Sequence, residues 1–126
     1  MDTYVKKGDR VYTPDFVAVD MVEFFKPSGV ILEPCKGKGV FMNHLPKETL
    51  WCEIDDGVDF YDFNQKVDWI VTNPPYSHFS KFIKHGIILA ENSVWLLPTW
   101  KMFSGWGLML KINAVGGIKH LRHYGT

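Results

Sequence analysis

Four short apolar runs constrain this chain more than any other feature: residues 29–33, 50–54, 67–72 and 94–97. Each is too short for a helix and sets apolar side chains on consecutive positions rather than alternate ones. Runs of that kind read as strands buried on both faces, the pattern of a parallel sheet. Parallel strands need crossovers, and helical periodicity lies between the runs. Ala18, Met21, Val22 and Phe25 share a helical face over 15–25, with Thr13 offering the N-cap, Pro14 the first helical position, and Lys26-Pro27-Ser28-Gly29 the stop. Phe79, Phe82, Ile83, Gly86 and Ile87 recur at steps of three and four within 77–90. Strands alternating with helices predict an α/β sandwich. Beyond Pro98 the pattern is weaker: Trp106, Met109 and Leu110 suggest a helix, Gly116-Gly117 a stop, and 118–124 a further strand.

The 126 residues amount to one domain, without an internal repeat, linker or low-complexity stretch. Fourteen basic residues balance fourteen acidic ones, so no global positive field holds a polyanion and any nucleic-acid contact has to be local. Cys35 and Cys52 form no CxxC pair and no metal-ligand cluster with the five histidines, which points to a reducing, cytoplasmic setting and to no metal. The charged residues 1–10 are unlike a signal peptide, and no run reaches the ~18 apolar residues of a membrane span. The chain reads as soluble, with no membrane partner.

The first run enters the turn Pro34-Cys35-Lys36-Gly37-Lys38-Gly39. Gly37 and Gly39 lack β-carbons, so the backbone can bend sharply and let a flat or anionic ligand come close. The phosphate signal is weak, because neither a P-loop ending nor the third glycine of a dinucleotide fingerprint is present, and an ordinary strand-to-helix turn is the plain alternative. Glu53 ends the second run where nucleotide-binding α/β folds place a carboxylate for the ribose hydroxyls. Asp55 and Asp56 compete for that role, and a solvated strand-end carboxylate would look the same.

The third run passes directly into Asn73-Pro74-Pro75-Tyr76. Two prolines fix φ twice and remove two N–H donors, leaving a rigid turn rich in acceptors at the end of a strand where open α/β sheets bind ligands. An aromatic amine is a poor nucleophile because its lone pair is delocalised into the ring. The Asn73 oxygen and the Pro74 carbonyl could accept both amine hydrogens and favour a pyramidal nitrogen, while Tyr76 stacks on the base, a contact of about 1–3 kcal/mol. A base held so must leave its duplex. The alternative is a proline-rich loop with an exposed tyrosine.

These residues together resemble the class I S-adenosylmethionine-dependent methyltransferases, and within them the amino-methylating group marked by Asn-Pro-Pro-Tyr. The glycine motif of that family corresponds to Glu33, Pro34, Gly37, Gly39 and Phe41, and its Tyr-Thr-Pro segment to Tyr12, Thr13 and Pro14. The resemblance implies a Rossmann-like, doubly wound, mostly parallel sheet short of its last strands, in a single domain over 1–126 without a target-recognition domain. It implies S-adenosyl-L-methionine as cofactor, held by these residues with Glu53, Asn73 and an Asp-Phe pair for the adenine. Asp59-Phe60 fits the spacing better than Asp62-Phe63. It implies Asn73, Pro74, Pro75 and Tyr76 as the catalytic turn, and adenine in DNA as acceptor, because the cofactor motifs precede the catalytic one. RNA adenine, protein glutamine, and a non-catalytic subunit that relies on a protein partner or oligomer for target recognition are the rivals.

Lys36 and Lys38 could meet the cofactor carboxylate or solvent. Lys81, Lys84, His85, Lys101, Lys119, His120, Arg122 and His123 supply the basic residues near the active face, each alone reading as surface. Trp100 or Phe103 could line the base pocket. The whole reading requires Gly39 and Asn73 to share one rim of the sheet.

Overall fold

The structure is a computed structural model that describes residues 4–6, 8–9, 12–102 and 105–125. Helix α1 spans Asp15–Phe25, β1 Ile31–Glu33, β2 Leu50–Trp51, β3 Val67–Thr72, α2 Phe79–Leu89, β4 Ala90–Trp95, α3 Thr99–Met102 and α4 Trp106–Ala114. The four strands form one sheet in the order β2-β1-β3-β4, every neighbouring pair parallel. The chain is therefore an α/β protein.

Side chains on adjacent strand positions separate into two cores. Ile31 and Val71 pack with Val17, Ala18 and Met21 of α1, and with Phe41 and Leu45 from the β1–β2 crossover. Leu32 and Ile70 turn the other way, to Phe82 and Leu89 of α2 and to Phe60 and Cys52. Helices thus cover both faces. Within α2, Gly86 admits the Trp95 ring: a β-carbon there would stand 2.6 Å from it.

The first helix matches the sequence expectation, but its cap does not. Pro14 holds the cap position and its carbonyl accepts the N–H groups of Val17 and Ala18, with no side-chain cap. Thr13 is left for another contact. At the other end Lys26 adopts φ 50°, a left-handed turn before Pro27 that closes the helix onto the Val22 carbonyl.

Three strand expectations change. The second strand stops at Trp51 because Glu53 folds back onto Val58 in an isolated antiparallel bridge. The fourth begins at Ala90 rather than at Val94; at the end of the strand order it has one neighbour, so polar Glu91, Asn92 and Ser93 cost it little. Residues 118–124 form no strand. They are held instead by Asp20 of α1, which accepts from Arg122 Nε at 2.5 Å, Arg122 Nη2 at 2.8 Å and the Tyr124 hydroxyl at 2.5 Å.

Candidate functional site

Strands β1 and β3 are hydrogen-bonded neighbours running the same way, with Leu32 opposite Ile70. The turn after Glu33 and the turn after Thr72 therefore leave the sheet at one rim. The strand order reverses here, since β2 lies beyond β1 on one side and β3 on the other. A cavity of about 240 Å³ opens at this point, and Gly37 and Asn73 both wall it.

Of the residues singled out from sequence, Tyr12, Thr13, Pro34 and Gly37 line this cavity, as do Phe41, Glu53, Asn73 and Pro75. Gly37 adopts φ 57°, and a β-carbon there would meet no atom within 4 Å, so the bare backbone faces open space. Gly39, expected beside the ligand, is off the cavity wall; at φ 89° it shapes the turn, its N–H donating to the Lys36 carbonyl at 2.9 Å. Glu53 is buried yet borders the cavity; Oε1 accepts the Gly37 N–H at 2.8 Å and Oε2 the Asp55 N–H at 2.9 Å. Asp55 and Asp56 border the cavity too. Asn73 Nδ2 donates to Thr13 Oγ1 at 3.0 Å, joining two turns that are 60 positions apart.

Other expected residues lie off the cavity wall. Pro14 is exposed at the helix start, and Pro74 is fully buried. Tyr76 is half-buried in a short 3₁₀ turn; burial raises its phenol pKa, and a hydrogen bond with Asn73 works against that. Glu33 is fully buried beneath the turn, with Oε1 accepting the Cys35 N–H at 2.8 Å. Burial drives its pKa well above the usual carboxylate range; Thr72 and the Cys35 N–H pull the other way, and Glu53 adds to the rise. Phe60, the expected adenine contact, is 1% exposed and belongs to the core against Phe82 and His85. Asp59 accepts the Tyr61 N–H at 2.9 Å and stands beside Tyr4.

Tyr4 and Asp9 were not foreseen. Both line the cavity. The Tyr4 ring packs among Tyr61, His78 and Phe82, and its hydroxyl pKa is raised by burial first and by the Asp59 charge second. Asp9 accepts the Ser77 N–H at 3.0 Å and the Ser77 hydroxyl at 2.5 Å. No periodicity marks either residue, since their places on the cavity are set by contacts with 61–82, distant in sequence.

The lysines flanking Gly37 take aromatic neighbours. Lys36 Nζ lies 3.7 Å from the Trp51 ring centre and 3.4 Å from Asp56, and Lys38 Nζ lies 4.6 Å from the Tyr12 ring centre. Both border the cavity. Among the basic residues expected near the site, Arg122 is committed to Asp20, His85 to the Phe63 carbonyl, and His120 to the rings of Phe24 and Phe25. Trp100 is 74% exposed and off the cavity wall; Phe103 and the Lys101 side chain lie outside the described residues. Cys35 and Cys52 are not joined in a disulfide, and burial pushes the Cys52 thiol pKa up to about 12. Among the described residues no three His, Cys, Asp or Glu side chains gather as metal ligands, and no helix is long and apolar enough to cross a membrane.

No protein-family model matches the sequence, and neither a curated protein nor a solved structure matches it.

Proposed function

We propose that this chain binds S-adenosylmethionine and transfers its methyl group to the exocyclic amine of adenine in DNA. The observation that supports this reading is a cavity walled by both Gly37 and Asn73, at the rim where the strand order reverses. Open α/β sheets bind their ligands at such switch points. The same reading takes the sheet as the centre of a doubly wound, Rossmann-like fold and the chain as a cytoplasmic protein.

The residues present suit such a cofactor. Bare backbone at Gly37 leaves room for close approach. The Glu53 carboxylate offers about four acceptor sites, two of them taken by Gly37 and Asp55, which leaves capacity for a ribose diol. Lys36 and Lys38 border the cavity and can face a carboxylate. The cofactor would supply an electrophilic methyl on a sulfonium. The cavity of about 240 Å³ is smaller than typical ligand sites, which run from roughly 300 to 1,000 Å³.

At the acceptor side, the Asn73 carboxamide oxygen accepts an amine hydrogen and so draws the nitrogen lone pair out of conjugation. For the Pro74 carbonyl to take the second hydrogen and Tyr76 to offer its ring to the base, this turn has to be uncovered, since Pro74 is fully buried and neither residue lines the cavity. A base in a duplex has to be flipped to reach this turn. With Arg122, His85 and His120 engaged within the fold, a partner protein or a second copy supplies part of the phosphate contact and target recognition.

Calorimetry with S-adenosylmethionine, followed by transfer of a tritiated methyl group to unmethylated DNA, tests the reading. Binding with transfer supports it. Binding without transfer supports the non-catalytic subunit, and transfer confined to RNA or to protein glutamine replaces the acceptor. Failure to bind the cofactor overturns it.

A further inference from the structure

The side-chain contact between Thr13 and Asn73 carries a consequence for how the acceptor turn works. A carboxamide presents a donor on one end and an acceptor on the other, and the two ends differ little in size. For an amine acceptor the ends are not equivalent: Oδ1 toward the amine accepts its hydrogen, whereas Nδ2 toward it sets donor against donor. Something has to choose between them.

Asn73 leaves β3 at its carboxyl end, and Thr13 precedes α1, so the two residues belong to different elements meeting at the cavity. Nδ2 of Asn73 donates to Thr13 Oγ1 at 3.0 Å. Thr13 is 9% exposed, and its partner is half-buried, so water competes weakly for this bond. The geometry points to Thr13 as a positioning residue that holds the Asn73 carboxamide with Nδ2 against its own oxygen and Oδ1 turned to the acceptor amine. This rests on the methyltransferase reading given above.

Thr13 can do this because a hydroxyl both donates and accepts. Its oxygen is the accepting partner in this contact, so the amide end that faces it is Nδ2. A residue that merely held the cofactor would alter cofactor affinity and leave the turnover rate alone; a residue that orients Asn73 does the reverse.

The test uses the full chain and the variants Thr13→Val, which removes the oxygen at nearly constant volume, and Thr13→Ser, which restores it. The first readout is hydrogen exchange of the Asn73 side-chain amide in ¹⁵N-labelled protein, its signal identified by its loss in Asn73→Asp. Protection in the wild type and in Thr13→Ser, reduced roughly tenfold in Thr13→Val, is expected. The second is methyl transfer at saturating S-adenosylmethionine and DNA, where kcat falls roughly tenfold or more in Thr13→Val with a much smaller change in KM for the cofactor, and recovers in Thr13→Ser. Unchanged amide protection in Thr13→Val overturns the proposal. So does a Val variant that loses cofactor affinity with kcat intact, which would make Thr13 a cofactor ligand only. Thr13-dependent protection in a wild-type chain that transfers no methyl group would overturn the methyltransferase reading and support the positioning contact by itself.

Discussion

The Glu53 carboxylate and the Gly37 N–H, 16 positions apart in sequence, meet at 2.8 Å and tie the turn after β1 to the end of β2. The second oxygen holds the Asp55 N–H, so one side chain fixes the backbone on two sides of the cavity. Glu53→Ala removes both bonds together with the proposed ribose acceptor. Hydrogen bonds to a charged group contribute about 1.5–3 kcal/mol each. Affinity for S-adenosylmethionine is expected to fall roughly 10- to 100-fold by calorimetry. Affinity unchanged from the wild type would move the ribose contact to Asp55 or Asp56.

Glu33 lies one strand away and behaves differently. It is fully buried, and burial raises its pKa well above the ordinary value of 4.5. A folded-state pKa above the unfolded one means that the group's contribution to stability is fully present below the unfolded value and lost as pH rises through the folded one. Glu33→Gln keeps the volume and the acceptor for the Cys35 N–H but cannot ionise. Its Tm at pH 7.5 should exceed that of the wild type by roughly 4 °C or more, with the gap closing toward pH 4.5. A gap that stays constant with pH would show that Glu33 carries no titration-linked penalty. Since Glu33 is not on the cavity wall, cofactor affinity should change little.

The sequence shows most plainly those elements whose partners are local. The α1 helix runs over 15–25 as its periodicity implies, and β3 coincides with the run at 67–72, because apolar spacing and a flanking proline act within a few residues. That the glycine turn and the Asn73 turn share a rim also follows from short apolar runs, which demand parallel neighbours. Contacts set by tertiary placement were hidden. Thr13 has the chemistry of a cap, yet the Pro14 carbonyl already receives the first helical N–H groups, and Asn73 takes the hydroxyl instead. Phe60 was expected beside a ligand; its ring finds more apolar surface beneath α2. Tyr4 and Asp9 reach the cavity from a stretch with no pattern to read.

Gly86 tests the second core. A β-carbon at this position in α2 would come within 2.6 Å of the Trp95 ring and 3.1 Å of Ile70 Cδ1. Helix propensity favours Ala over Gly by about 1 kcal/mol, but overpacking of this kind costs about 1–3 kcal/mol. The clash involves the bulky Trp95 ring and the fully buried Ile70, so overpacking should win. Gly86→Ala is expected to lower Tm by several degrees in thermal denaturation followed by circular dichroism. An equal or higher Tm would mean that the Trp95 ring can shift at little cost.

Asp9, which lines the cavity with Tyr4, is hydrogen-bonded to the turn that follows Pro75. Its carboxylate accepts from Ser77 at 3.0 and 2.5 Å and from the Lys6 N–H at 2.8 Å. Burial alone would raise its pKa, but the Ser77 hydroxyl, the Lys6 and Ser77 N–H groups and nearby His78 outweigh burial and hold it below the ordinary 3.8. A depressed folded-state pKa means that the stabilisation is present above the unfolded value and lost as pH falls through the folded one. Amide exchange at Lys6 and Ser77, corrected for intrinsic rates, should therefore stay slow from neutral pH to about 4 and speed up below the pKa of Asp9. Asp9→Ala should show the faster exchange already at neutral pH, by roughly tenfold. Exchange that ignores both pH and the Ala substitution would mean that Tyr4, packed against Tyr61 and His78, holds its segment without help from Asp9.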